Sequence, residues 1–270
     1  MHLVTPRELI VEFTRLWSGE RFPDGRPKVS DDLLERLKPA TTEEAWGVLR
    51  KHGYHHQFEG NWLQTHPDRI LVGRAVTTVF VPHRPDLQAL VEETGQAEGR
   101  IGGQNSWVID TLLPNDVMVV DMFGKIKDGT FVGDNLGTSV RTRTRAGAVI
   151  DGGIRDYQGL VKLSEVNIFC RGVHPTAIAG ATLLSINLPM RLGAATVMPG
   201  DVVLGTPTGV IFIPSHLAQA VVERSEEIRV RDEFGKQRLD EGIYTPGQID
   251  RVWSEEIEAD FQNWLANKKK

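Results

Sequence analysis

Residues 133–156 read GDNLGTSVRTRTRAGAVIDGGIRD: a loop, a helix start, a Thr-rich helix, an apolar strand and a polar turn. Ala148-Val149-Ile150 has the β-branched, apolar character of a buried strand. Asp151-Gly152-Gly153 follows, and glycine's tolerance of positive φ suits a tight turn there. Ile154 anchors that turn and leaves Arg155 and Asp156 to project toward a cleft. At the other end of the segment, Gly133-Asp134-Asn135-Leu136 opens a helix whose first N–H groups lack intrahelical acceptors and can hold a carboxylate. In α/β folds, ligands collect at the carboxyl ends of strands, where this turn falls.

Working outward, the run ILVGRAVTTVFVP beginning at Ile70 reads as a buried strand closed by Pro82. DLQALVEETGQAEG has helical spacing, and DVMVVDMFG after Leu113-Pro114-Asn115-Asp116 is a further strand. Asn167-Ile168-Phe169-Cys170 is another, and short β runs crowd residues 179–214, with Pro199-Gly200-Asp201 as a turn. HLAQAVVERSEEIRVRDEF then returns to helix.

The front third is helical: Thr5 is the expected N-cap before Pro6, Ser30 opens DDLLERL, and Thr41 opens a helix through Trp46 and Leu49. Three regions result: a helical N-terminal arm over 1–66, an α/β domain over 67–225, and a C-terminal helical extension over 226–270. Strands alternating with helices and then crowding together predict a layered α/β domain with mixed parallel and antiparallel pairing.

Composition narrows the function classes. The 270 residues are 40% hydrophobic and 25% charged, with 31 Lys and Arg against 36 Asp and Glu, a net charge of -5. That balance, without a long basic run, argues against nucleic-acid binding. Cys170, the single cysteine, excludes an internal disulfide and multi-cysteine zinc motifs. No apolar run is long enough for a transmembrane helix, and the N-terminus lacks a signal core, so a cytoplasmic protein is expected. The tail Asn267-Lys268-Lys269-Lys270 reads as a frayed, solvated end. Phosphate-loop, GxGxxG, HExxH and GxSxG signatures are all absent.

The remaining parts suit an oxo-acid. Asp156 offers a hard oxygen ligand for Mg²⁺ or Mn²⁺, and Arg155 a permanent cation for a carboxylate, a carbonyl oxygen or a developing enolate. By spacing alone, a structural Arg–Asp pair closing the turn is the alternative.

From about Ile70 to Asp232 the chain resembles the RraA-like family, which holds 4-hydroxy-4-methyl-2-oxoglutarate / 4-carboxy-4-hydroxy-2-oxoadipate aldolases and regulators of ribonuclease E. The resemblance rests on Leu71-Val72-Gly73-Arg74-Ala75-Val76-Thr77, Asn115-Asp116-Val117-Met118-Val119-Val120-Asp121, Gly133-Asp134-Asn135-Leu136, and residues 148–156. Ile168-Phe169-Cys170-Arg171-Gly172 and Met198-Pro199-Gly200-Asp201-Val202-Val203 continue it, in the same order and spacing.

It implies a swivelling β/β/α-type domain assembled as a homotrimer or homohexamer with sites between subunits. The implied activity is cleavage of a 4-hydroxy-2-oxo acid, either a hydroxy-oxo diacid or a 2-keto-3-deoxy sugar acid, to pyruvate and a carbonyl product. Oxaloacetate decarboxylation is an implied side activity. The resemblance makes Asp156 the direct ligand of a divalent metal and has Arg155 contact pyruvate and its enolate. Asp134 would act on the metal through water, and the amides of Gly133, Asp134, Asn135 and Leu136 would hold the pyruvate carboxylate. Glu233 is the candidate for a carboxylate reaching the metal waters from the neighbouring subunit. The family's regulators supply the alternative, a non-catalytic protein that binds a ribonuclease. Two departures stand out: Gly159 lies where the family commonly has an acid, and the late turn Thr206-Pro207-Thr208-Gly209-Val210 lacks its first Asp.

Other features read more plainly. Residues 201–210 are also similar to the GTP-x-G-V loop of fumarylacetoacetate hydrolase-like enzymes, but without the upstream carboxylates they read as a hairpin. His52, His55 and His56 straddle the helix-breaking Gly53 and read as a solvated or lid segment. His174 reads as a turn residue with proton donation as the alternative, and Lys125 is a lesser candidate for a substrate carboxylate. Arg141 and Arg145 are expected on one helix face, and Trp62, Trp107, Trp253 and Trp264 as packing residues.

Overall fold

The computed structural model describes residues 1–268; Lys269 and Lys270 of the expected frayed tail lie outside the described residues. The front third carries α1 (Arg7–Phe13), α2 (Asp31–Leu37) and α3 (Thr42–Lys51), then two short edge strands, β1 (Phe58–Glu59) and β2 (Leu63–Gln64). The central run is β3 (Leu71–Pro82), α4 (Pro85–Ala97), α5 (Gln104–Ile109), β4 (Asp116–Thr130), α6 (Asp134–Thr144), β5 (Gly147–Ile154), α7 (Tyr157–Leu160) and β6 (Asn167–Val173). Then come β7 (Ala181–Ile186), β8 (Met190–Leu192), β9 (Ala195–Val197), β10 (Val202–Thr206) and β11 (Gly209–Ile213). The chain ends with α8 (Ala218–Asp240), α9 (Pro246–Ile249) and α10 (Glu255–Lys268).

The main sheet has the order β1-β11-β10-β3-β4-β5-β6-β2, and β7 pairs with the second half of β3. β3, β4, β5 and β6 run parallel; β10, β11, β1, β2 and β7 join antiparallel. The mixed α/β expectation holds. Alternation along β4 explains the layering: Met118, Val120 and Met122 join Trp107, Val140 and Leu160 on the helical side. Val117 and Val119 turn the other way and pack with Met190 and Leu192 of the β8–β9 hairpin. A third cluster sets α2, α3 and α8 on β10 and β11 through Leu34, Leu49, Ile211 and Val221. Each fully buried aliphatic side chain contributes roughly 1.5–3 kcal/mol.

Several local expectations shift. Pro6, not Thr5, caps α1, because the Thr5 hydroxyl is buried against Ser185 Oγ at 3.2 Å. Ser30 and Thr41 do cap α2 and α3, the latter with a capping box to Glu44. β4 continues past Gly124 to Thr130 through two register shifts, with Phe123, Gly124 and Asp128 at positive φ, although its last third is polar. It therefore folds back over β5, and Gly152 and Gly153 stay in the strand instead of turning. The left-handed residue is Asp156, at φ 52. Arg145 also leaves its helix in the left-handed conformation, so it shares no helical face with Arg141. Asn267 and Lys268 complete α10, and Lys268 pairs with Glu233.

Residues of the front third are built into the domain. Arg26 is wholly buried and grips Asp116, also wholly buried, with two hydrogen bonds of 3.0 Å. Burial alone would lower the Arg26 pKa, but Asp116 and Asp24 reverse this and leave it raised. Arg74 adds bonds to the Val29 and Pro114 carbonyls and to Asp31. Arg26→Ala should therefore strand the Asp116 charge and cost about 3–5 kcal/mol, read as a lower urea midpoint at unchanged slope. A loss below about 1 kcal/mol would contradict the pair's assigned role.

Candidate functional site

The site is assembled by backbone pairing at the carboxyl end of β5. The Phe131 N–H donates to the Gly153 carbonyl at 2.9 Å, and the Arg155 N–H to the Val132 carbonyl at 3.0 Å. These bonds lay the segment entering α6 against the turn leaving β5. Gly133 sits at the crossing: a Cβ there would lie 2.2 Å from Asp156 Oδ2 and 3.2 Å from Arg155 Nε. Any side chain at 133 would displace both functional groups.

A pocket of about 100 Å³ opens at this junction, with Gly133, Asp134, Asn135, Leu136, Arg155 and Asp156 in its wall. The structure thus brings these six expected residues together. Arg155 Nε lies 3.5 Å from Asp156 Oδ2, and both side chains are nearly half exposed, at 43% and 45%. An ion pair so open leaves both groups accessible to a ligand. Asp134 begins α6, and its Oδ1 accepts the Asn135 N–H at 2.8 Å, so that amide already has a partner. The N–H groups of Asp134 and Leu136 also start the helix without intrahelical acceptors and face the end favoured by anions.

Gly159 acquires a local reason. A Cβ at this position would come 2.7 Å from Asp134 Cβ and 3.0 Å from its Oδ2. Asp134 is seated where a larger residue at 159 would stand, so an acid there would force it to move.

Glu233 is not in this wall. It lies on α8, paired with Lys268 of α10, and within one chain the structure does not bring it to Arg155. Lys125 lies on the folded-back part of β4, its Nζ 3.9 Å from where a Cβ on Gly180 would be. His174 directly follows β6, its N–H donating to the Ile154 carbonyl at 3.0 Å and its Nδ1 3.0 Å from Thr176 Oγ1. His52 ends α3 with Nδ1 3.0 Å from the Val48 carbonyl, and residues 206–210 form the β10–β11 hairpin. Cys170 is buried and desolvation pushes its thiol up to about 12, so it stays protonated at neutral pH.

Asn105, Thr130, Phe131, Ala177 and Ile178 also line this pocket and escaped the sequence reading. Asn105, at the start of α5, donates to the Phe131 carbonyl at 2.8 Å and so braces the loop before Gly133. Thr130 donates to the Thr176 carbonyl, which draws the loop bearing Ile178 over the pocket. Gly102-Gly103 before α5 was the available signal for Asn105, but nothing local marked it as part of the site. Asp151 is also engaged: Arg171 holds it at 2.6 Å, reaches Glu59 at 2.7 Å and stacks over Trp62.

Among the described residues no group of three or more His, Cys, Asp or Glu side chains is arranged to hold a metal ion. The donors present, the exposed Asp134 and Asp156 carboxylates, are hard oxygens. They suit Mg²⁺ or Mn²⁺, which retain several waters and need one or two protein carboxylates, and do not suit a closed zinc site.

A Halalkalibacterium halodurans protein, named as a proposed 4-hydroxy-4-methyl-2-oxoglutarate aldolase, is 30% identical over 130 residues, 48% of this chain and 61% of that one. Protein DlpA of Legionella pneumophila is 27% identical over 215 residues, 78% of this chain but 32% of its own length. The matches therefore span less than two thirds of these relatives' own lengths. Among solved structures, Streptomyces coelicolor RraAS2, described as an unusual member of the RNase ES inhibitor RraA family, superposes with a TM-score of 0.66. Its sequence identity is 25%, with 79% of this chain and 98% of that chain covered. The sequence model of the RraA-like family, described as Aldolase/RraA, matches residues 27–212, starting inside the helical front third and not at Ile70. The match takes in well over half of the sequence, and the chain belongs to the RraA-like family.

Proposed function

We propose that this protein is a divalent-metal-dependent aldolase, a carbon–carbon lyase that cleaves a 4-hydroxy-2-oxo acid to pyruvate and a carbonyl product. The observation that carries the reading is the convergence of Arg155, Asp156 and Asp134 on one pocket at the N-terminus of α6.

Asp156 is the residue to hold Mg²⁺ or Mn²⁺ directly, with Asp134 acting through water. Bound there, the cation would supply Lewis-acid polarisation of the 2-oxo acid and would make a nearby hydroxyl group more acidic. The chain's own groups supply the rest. The free amides at the start of α6 orient the substrate carboxylate. Asp134, with Oδ2 free of the Asn135 bond, is placed to take the C4 hydroxyl proton, directly or across a water. As that proton leaves, the C4 oxygen becomes a carbonyl, the C3–C4 bond breaks, and its electron pair passes to C3 as the enolate of pyruvate. Arg155 lies beside this charge and stabilises it more in the transition state than in the ground state. Return of a proton to C3 gives pyruvate. The same enolate stabilisation would decarboxylate oxaloacetate.

In this reading the assembly is a homotrimer or homohexamer, and Glu233 of a neighbouring subunit approaches the cation's waters. A second reading, a non-catalytic regulator of a ribonuclease, is favoured by the likeness to RraAS2. Among the described residues no helix is long and apolar enough to cross a membrane.

Pyruvate release should stop in excess EDTA and return with Mg²⁺ or Mn²⁺. Undiminished cleavage in EDTA would refute the reading, and tight nuclease binding without any pyruvate release would favour the regulator. Arg155→Ala should lower kcat by about a hundredfold, equal to roughly 2.7 kcal/mol of transition-state stabilisation, without shifting the thermal unfolding curve. Asp156→Ala should abolish Mn²⁺ binding as read by electron paramagnetic resonance titration; retained affinity would remove Asp156 as the ligand.

A further inference from the structure

We infer that the cleft beside the Arg155 pocket receives the leaving half of the substrate. That half is a neutral polyhydroxylated chain, as in a 2-keto-3-deoxy sugar acid, and not a second carboxylate. The inference rests on the aldolase reading and adds the substrate class to it.

The pocket around Arg155 is small, about 100 Å³, and its polar groups are those assigned to the 2-oxo acid head. A second cleft of about 530 Å³ lies between α4, α5 and the loop before β7, and it shares Asn105 and Ile178 with the first. A substrate whose head is held at Arg155 can extend past Asn105 and Ile178 into this neighbouring cleft.

The chemistry of this second cleft is that of a hydroxyl binder. Its wall carries the amides of Gln88, Gln96, Gln104 and Asn105. Gln88 Oε1 accepts from Gln104 Nε2 at 3.2 Å and from the Thr182 hydroxyl at 2.6 Å, while Gln88 Nε2 donates to Glu92 at 2.6 Å. The amides are thus pre-oriented, and a primary amide keeps a further donor hydrogen after one such bond.

A second carboxylate is poorly served here. Arg100, the guanidinium in the wall, is already engaged by Glu98 at 2.6 Å. Glu92 contributes negative charge to the same wall. A hydroxy-oxo diacid would bring its distal charge beside Glu92 and toward a guanidinium already shared with Glu98, whereas a polyol carries no charge.

The test compares pyruvate release by the full chain with Mg²⁺ from 2-keto-3-deoxygluconate and from 4-hydroxy-4-methyl-2-oxoglutarate. The sugar acid should show a kcat/KM at least about tenfold higher. Gln96→Met, which keeps the side-chain length and removes an amide from the cleft wall, should raise the sugar-acid KM by about fivefold and weaken D-gluconate binding in calorimetry. Glu92→Lys, on an exposed helical position, should narrow the preference by improving the diacid. Cleavage of both substrates with the diacid preferred, or variants that leave the preference and D-gluconate binding unmoved, would overturn the subsite while leaving the aldolase standing. Pyruvate from neither substrate would remove both.

Discussion

Two backbone hydrogen bonds, from the Phe131 N–H to the Gly153 carbonyl and from the Arg155 N–H to the Val132 carbonyl, fasten the segment entering α6 to the turn leaving β5. Everything chemical in the protein depends on that fastening. It exists because β4 and β5 are parallel neighbours and because β4 bends back across β5 after Asp121. The bend brings Thr130 opposite Gly153, and the next few residues must then pass close to Arg155 and Asp156. The approach is so tight that residue 133 has no room for a Cβ. A helix N-terminus, a guanidinium and two carboxylates come to share one small space.

The opposite end of the sheet does different work. There the buried Arg26–Asp116 pair and the Arg74 bonds tie the front third to the starts of β3 and β4. Charges so fully buried are costly to separate, so the front third is part of the folding unit, in keeping with a family match that begins at residue 27. At the far end of the chain, Phe234, Ile257 and Phe261 form a small core of their own with Trp253 and Trp264.

Much of this was legible early. The apolar runs at 71–82, 116–122 and 147–150 became central strands because β-branched residues there can be buried on both faces, as parallel pairing requires. The capping residues Ser30 and Thr41 marked real helix starts because their signals act within one turn. The misreadings share a cause. Gly152-Gly153 resembles a turn locally, yet the glycines serve the close passage of β4 from above, which no local pattern announces. Thr5 resembles a cap, but its hydroxyl is claimed by Ser185, 180 residues away.

The order of residues alone determined which chemistry is on hand: one arginine and one aspartate after a buried strand, and an Asp-led helix start upstream. Such information is local, because propensity and periodicity operate over a few residues. Only the tertiary structure decided that these pieces meet, that Asn105 and Thr130 belong with them, and that an amide-lined cleft adjoins them. Those relations depend on strand register and on a bulged β4, and register is set by side chains packed on both faces of a sheet whose partners lie far apart in the chain.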